Sequence, residues 1–346
     1  MKVRSWVLVL ALLLGGCGDQ AEKEHKEAIY VFGTLVEITI RGVEESKARD
    51  AMAELGHGFQ RMHKDWHAWK EGGELVAINQ AIARGEPAKA SPFVLPLIQQ
   101  AKDLYESSGG LFDAGIGAIV GAWGFHADDL PKGARPPMEE IQALVASKPS
   151  MADVVIDGDT ISSSNPVVSM DFGGFAKGVA LDWAVMRLKE MGIETAILSA
   201  GGDVNTLGQP KDRLWKVAIR HPKHWGVIAS IELRGGENLH TSGNYQRYRE
   251  HEGIRYAHIL DPRTGMPVDH IVSASVISGN GGLADAAATA LTVAGPNNWP
   301  TVAQSMGVKY VLLIDDEGTA YLNEAMQKRI VFEPGEPKKT VVVPIL

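Results

Sequence analysis

The chain has 346 residues, with 34 Lys+Arg against 42 Asp+Glu, a formal net charge of −8, 45% hydrophobic residues and 22% charged residues. That balance excludes a disordered, collagen-like or coiled-coil chain, and its acidity argues against bulk nucleic-acid binding, which needs basic groups to displace counterions. One cysteine excludes an intrachain disulfide framework or a cysteine-cluster metal site, and 38 glycines are about one residue in nine against an ordinary ~7%.

Residues 1–16 read as a secretory signal. Lys2 and Arg4 precede an unbroken apolar run from Trp6 to Leu14, too short to span a bilayer as a helix. The run ends in Leu14-Gly15-Gly16-Cys17, which resembles the lipobox of bacterial lipoproteins. That resemblance implies cleavage before Cys17, lipidation of Cys17 and anchorage to a bacterial membrane, with the globular part in the periplasm or otherwise outside the cytoplasm. The alternative is a plain signal cut further on, with Cys17 incidental. Loss of residues 1–16 takes the charge to about −10. Residues 17–28 then read as a charged tether and 29–346 as the globular domain.

Val36, Ile38 and Ile40 alternate with polar residues, the period of a half-buried strand. Met52, Leu55, Phe59 and Met62 recur at three- and four-residue spacing, which predicts a helix with one apolar face. Ser91-Pro92 has the form of an N-cap and first-turn proline opening a helix through about Ser107. Asp128–Pro137 is a proline-rich loop or hinge. Strand-like runs then dominate: Val167–Met170, Thr195–Leu198, Trp215–Ile219, Val227–Leu233, Arg255–Leu260, Ile271–Ile277 and Tyr310–Ile314. Helices are expected at about Phe175–Met191 and Leu283–Val293. Strands outnumber helices without regular alternation, so the class is α+β rather than doubly wound α/β.

The common signatures are absent. There is no phosphate loop and no G-x-G-x-x-G after a strand. Ser242 in Thr241-Ser242-Gly243 is not a nucleophile elbow. His63 and His67 stand four apart, the spacing of two zinc ligands on a helix, but no glutamate follows His63 and no third ligand is obvious; surface or capping histidines are the reading.

Four glycine-punctuated segments remain. Gly109–Gly117 carries Leu111, Phe112 and Asp113, with Trp123-Gly124-Phe125 close behind. Asp171–Gly178 turns from a strand through Gly173-Gly174 into a helix. It is either an anion site formed by helix N–H groups and Lys177 or a tight connection with a surface lysine. His258–Gly265 ends a strand in turn chemistry, and His258 by itself reads as structural. In Ala284–Leu291, Asp285 and Thr289 form an i, i+4 pair whose carboxylate and hydroxyl suit Mg²⁺, although alone the segment reads as an alanine-rich packing helix.

Taken together and in order, these segments resemble the ApbE family, the bacterial FAD:protein FMN transferases. The similarity also runs through Gly33-Thr34, Gly73-Glu74-Leu75 with Asn79, Gly201-Gly202-Asp203 and Thr241–Tyr245. It implies a T-fold-like α+β architecture with antiparallel sheets and packed helices. It implies cleavage of FAD, the substrate, and transfer of FMN to a threonine of an acceptor flavoprotein, with release of AMP. On this resemblance Mg²⁺ is held by Asp285, Thr289 and the carbonyl of Gly174. Asp171 and Lys177 contact FAD; Leu111, Phe112, Asp113 and Leu260 line its site; Phe32, Trp69, Thr241, Ser242 and Gly243 belong to it. His258 positions or deprotonates the acceptor threonine, with an ordinary pKa near ~6.5, and Asp285 serves catalysis through the metal. Two positions depart from the usual family pattern: Phe32 replaces a methionine, and His67-Ala68-Trp69 replaces Ser-Thr-Tyr. Trp69 retains a flat ring for stacking. Two other activities share these residues, an Mg²⁺-dependent FAD pyrophosphatase and a non-catalytic lipid-anchored FAD-binding protein.

Overall fold

A computed structural model describes residues 22–127, 129 and 131–345; the signal and Cys17 lie outside the described residues. Nine strands lie side by side in chain order: β1 (Glu24–Val31), β2 (Thr34–Arg41), β3 (Thr195–Ala200), β4 (Asp203–Leu207), β5 (Asn238–Gly243), β6 (Ile271–Ser278), β7 (Tyr310–Asp315), β8 (Thr319–Leu322) and β9 (Lys339–Val342). All neighbours are antiparallel except β8 and β9, which are parallel. The architecture is mixed α+β, as the sequence indicates. Residues 24–28, read above as tether, are instead paired in edge strand β1, where Ile29 and Val31 face inward beside α1.

Period-2 alternation divides the sheet between two cores. In β7, Val311 and Leu313 join a helical core while Leu312 and Ile314 join the opposite one. The helical face carries α1 (Glu45–Asp65), α2 (Glu74–Ala83), α3 (Leu95–Ser107), α6 (Ala176–Glu190) and α7 (Gly281–Ser305), where Met52, Leu55, Phe59 and Met62 are buried as their spacing requires. The other face is covered by a three-stranded sheet of Trp215–Arg220, Val227–Leu233 and Ile330–Phe332. A satellite core joins α4 (Gly117–Ala122) and α5 (Met138–Ala146) to the Leu260–Pro267 hairpin, where Trp123 Nε1–H donates to the Gly265 carbonyl at 2.7 Å.

Four expected elements differ. The Ser91-Pro92 cap is displaced: Ser91 accepts from Phe93 through Oγ and from Val94 and Leu95 through its carbonyl in the turn before the helix. The N-cap is Val94, and the helix runs from Leu95 with Pro96 in its first turn. Val167–Met170 joins no sheet: Val167 and Val168 donate to Asn165 in a turn, Ser169 exchanges bonds with Gly115 and Gly117, and Asn79 clamps both backbone groups of Met170, at 2.9 and 2.8 Å. The Arg255–Leu260 run breaks at His258 and Ile259, between Ile254–Ala257 and Leu260–Asp261. The Leu283–Val293 helix is longer than expected, because after Gly295 leaves helical geometry at φ 71° a second helical stretch begins at Pro296.

Candidate functional site

At one end of the sheet two tight turns, Phe32-Gly33 between β1 and β2 and Gly201-Gly202 between β3 and β4, have positive φ throughout. Positive φ at both central residues matches the right-handed strand twist. At Phe32 (φ 56°) it is uncommon for a side-chain-bearing residue, and the ring meets Phe59 edge-on at 5.8 Å and His63 at 6.0 Å. These turns, the α1 C-terminus and the start of α6 enclose a cleft of about 650 Å³.

Of the residues the sequence singles out, Phe32, Trp69, Leu111, Phe112, Asp113, Asp171, Gly174, Lys177, His258, Leu260 and Thr289 line this cleft. Thr241, Ser242, Gly243 and Asp285 do not. Thr241 Oγ1 pairs with Ser275 Oγ at 2.8 Å inside the sheet, and Ser242 reaches the site only through Thr289, hydroxyl to hydroxyl at 3.1 Å. Asp113 contributes to the wall, but its Oδ1 accepts the N–H groups of Gly115 and Met151, so this carboxylate fixes a loop. Burial raises its pKa against those bonds.

One wall is a ladder of rings. His63 meets His67 at 5.1 Å and His67 meets Trp69 at 4.0 Å, both edge-on, and Trp69 stacks on His126 at 4.7 Å and 13°. His63 and His67 therefore belong to an aromatic wall. His126 continues to Asp171, Nε2–H to Oδ2 at 2.9 Å. Burial opposes the ionisation of Asp171, yet His126 and the Gly173 N–H bring its pKa below the ordinary carboxylate value.

Behind the opposite end lies a buried charge cluster. Lys177, in the first turn of α6, sits 3.2 Å from Asp203 and 3.4 Å from Asp285. Burial favours its neutral form, but the two carboxylates hold it protonated well above the ordinary lysine value. Lys177 and His240 in turn keep Asp203 ionised against burial, whereas burial pushes Asp285 up to about 6. His240 Nε2 meets Asn205 Oδ1 at 2.9 Å, and Asn205 donates to Asp182, which also caps α7 through the N–H groups of Gly281 and Gly282. Asp203, His240 and Asp285 lie close enough to share a cation, but the Lys177 ammonium already bridges the two carboxylates.

His258 Nδ1 lies 3.0 Å from the Arg247 carbonyl. A carbonyl only accepts, so the neutral ring carries its proton on Nδ1 and leaves Nε2 with a lone pair. Burial, with the charges of Arg247 and Lys177, lowers its pKa to about 4, in place of the ordinary value expected from sequence.

His126, Asp182, His240, Arg220 and Arg247 were not singled out by the sequence. His126 directly follows the Trp123-Gly124-Phe125 segment, an available signal; Arg220 and Arg247 enter the cleft from distant elements with none. A third group, His221, His224 and Glu336, is compact but lies apart from this chemistry. The Lys223 and His224 N–H groups donate to His221 Nδ1, which puts the neutral ring's proton on Nε2, facing Glu336 at 3.5 Å. That arrangement closes a hairpin tip.

The ApbE family model matches residues 32–312. A protein of Rhodobacter capsulatus named FAD:protein FMN transferase is 50% identical over 318 residues, covering 92% of this chain and 60% of that protein, so the chain spans about three fifths of that relative. A Vibrio cholerae protein of the same name is 30% identical over 325 residues, covering 91% of this chain and 96% of its own length. The crystal structure of the ApbE protein from Thermotoga maritima superimposes with a TM-score of 0.82 at 27% identity, over 88% of this chain and 99% of that one. Matched from residue 32 to residue 312, with its glycine-rich segments gathered round one cleft, the chain belongs to the ApbE family.

Proposed function

We propose that this chain is an FAD:protein FMN transferase: it cleaves the pyrophosphate of FAD, joins FMN by a phosphoester to a threonine of an acceptor flavoprotein and releases AMP. The observation that carries this reading is the convergence of Leu111-Phe112, Asp171–Lys177, His258–Leu260 and Thr289, distant in sequence, on one cleft of about 650 Å³. That volume lies within the ~300–1,000 Å³ of small-molecule sites. The 50% identity to a protein of that name supports it.

The donor set fits Mg²⁺, a hard cation that takes oxygen ligands. Thr289 lies one turn beyond Asp285, and a Cβ on Gly174 would stand 3.7 Å from Thr289 Oγ1, so bare backbone faces that hydroxyl. The Asp285 carboxylate, the Thr289 hydroxyl and the Gly174 carbonyl would hold the ion. When bound, it supplies charge neutralisation at the pyrophosphate and the departing AMP. The chain's own groups do the rest. Lys177, kept charged by Asp203 and Asp285, presents a cation to the phosphates from the first turn of α6. Trp69 offers a face for a flat ring of FAD. His258 is neutral at pH 7, and its Nε2 lone pair takes the proton of the acceptor threonine as that oxygen attacks phosphorus.

Incubation with FAD and Mg²⁺, with and without an acceptor protein, tests the reading. Fluorescent flavin that stays on the acceptor through denaturing electrophoresis, with AMP released, is the expected result. AMP and free FMN without acceptor would make the chain an FAD pyrophosphatase, and intact FAD a binding protein. The proposal extends to location: Cys17 carries the lipid that holds the domain to a membrane outside the cytoplasm. Among the described residues no helix is long and apolar enough to cross a membrane.

A further inference from the structure

His126 is absent from the cleft lining, yet it touches two residues that line it, Trp69 and Asp171. One face of its ring backs Trp69 at 4.7 Å and 13°, and its Nε2–H donates to Asp171 at 2.9 Å. Asp171 in turn accepts the Gly173 N–H at 2.7 Å through its other oxygen. That bond shapes the turn in which Gly174 faces Thr289 and from which α6 carries Lys177. A short path of direct contacts therefore runs from the aromatic wall to the phosphate-facing turn.

The surroundings are built around this imidazole. A Cβ on Gly121 would fall 2.9 Å from His126 Nδ1, so α4 omits a side chain where the ring sits. Arg247 donates to the carbonyls on either side of it, Phe125 at 3.2 Å and Ala127 at 2.6 Å. His67 meets the Trp69 ring edge-on at 4.0 Å between centroids, so both imidazoles contact Trp69 and only His126 stacks on it. Only a planar group with an N–H at this position can stack on Trp69 and hold Asp171 together.

We propose that His126 is a positioning residue that couples the two ends of the cleft, setting the Trp69 plate for a flavin or adenine ring and the Asp171–Gly174 turn for the phosphates. The inference rests on the FAD reading above and goes beyond it, because His126 itself need touch no atom of FAD.

Two substitutions separate its two contacts. His126→Gln keeps an N–H donor for Asp171 and loses the ring; His126→Phe keeps a ring for Trp69 and loses the donor. The first readout is the flavin-band circular dichroism and affinity of bound FAD, which follow the plate. The second is competition by inorganic pyrophosphate with Mg²⁺, which follows the turn. His126→Gln is expected to change the flavin band and weaken FAD about 3-fold or more, the scale of a lost aromatic pair, with pyrophosphate competition near wild type. His126→Phe is expected to keep the flavin band and weaken pyrophosphate competition on the order of 10-fold, the scale of a lost charged hydrogen bond. Melting temperatures measured alongside exclude a general loss of fold. If both readouts move together in both variants with a lowered melting temperature, or neither moves, His126 is a packing residue and the inference is overturned while the FAD reading stands. If the wild-type protein binds no FAD, both fall together.

Discussion

At the scale of single residues, the buried cluster divides its charge unequally. Lys177 pairs with both carboxylates, but Asp203 stays ionised against burial while burial pushes Asp285 up to about 6. A carboxylate held in so unfavourable a charge state gains most from a divalent cation. Asp285→Ala is therefore expected to abolish transfer, measured as flavin fixed to acceptor; near-normal turnover would refute its role as metal ligand. His258→Gln should lower kcat by about 10²- to 10⁴-fold at saturating acceptor, the usual contribution of a positioned base, with FAD affinity little changed. The sign of its pH effect follows from its lowered pKa. Between about pH 6.5 and 4 the unfolded ring takes up a proton that the folded ring refuses, so its contribution to stability falls as pH drops through that window. The melting temperature of wild type should accordingly fall further from pH 7 to pH 5 than that of His258→Gln. The value near 6.5 expected from sequence misses because histidine identity carries no information about burial or about Arg247 and Lys177 nearby.

At the scale of elements, the Asp171–Gly178 segment shows why glycines concentrate where they do. Gly174 leaves room beside Thr289, and Gly178 lets α6 cross the start of α7. A Cβ on Gly178 would lie 2.2 Å from the Gly281 carbonyl oxygen and 2.8 Å from the Gly282 nitrogen, both backbone atoms that cannot turn aside. Gly178→Ala should destabilise the protein by about 1–3 kcal/mol as an overpacking change, visible in denaturant unfolding. It should also impair transfer, since Asp285 Oδ2 accepts the Gly178 N–H at 3.1 Å. An unchanged midpoint would mean that the two helices part freely. The α1 face and the β2 alternation were legible because one side meets a core along their length. Val167–Met170 carries a strand composition, but a side-chain amide from Asn79, 91 residues away, takes the backbone hydrogen bonds of Met170, and no local pattern encodes that.

At the scale of the whole molecule, one sheet, antiparallel except at its β8–β9 edge, runs in chain order while the site is delivered by the segments between its strands. Residues 42–194, between β2 and β3, bring Trp69, Phe112, Asp171 and Lys177; residues 244–270 bring His258 and Leu260, and α7 brings Asp285 and Thr289. An acidic molecule of net charge −8 offers little long-range attraction to a pyrophosphate, so chelation of Mg²⁺ should abolish transfer and its restoration should recover it. Persistence of full activity in excess chelator would argue against a metal in the reaction. Cys17→Ser is expected to move the protein from the membrane fraction to the soluble fraction without changing the specific activity of the domain; retention in the membrane would refute the lipid anchor.

The sequence by itself determined the α+β class, the main strands and helices, the glycine-rich segments and the resemblance that names the family. These are encoded by periodicity and by residues adjacent in the chain. Only the tertiary structure decided that Trp69 leans on His126, that His126 holds Asp171, that Lys177 is shared between Asp203 and Asp285, and that His258 stays neutral far below its ordinary pKa. Each of those properties depends on burial and on partners from another segment, and electrostatics in a desolvated site depends on where charges meet in space rather than on their order along the chain.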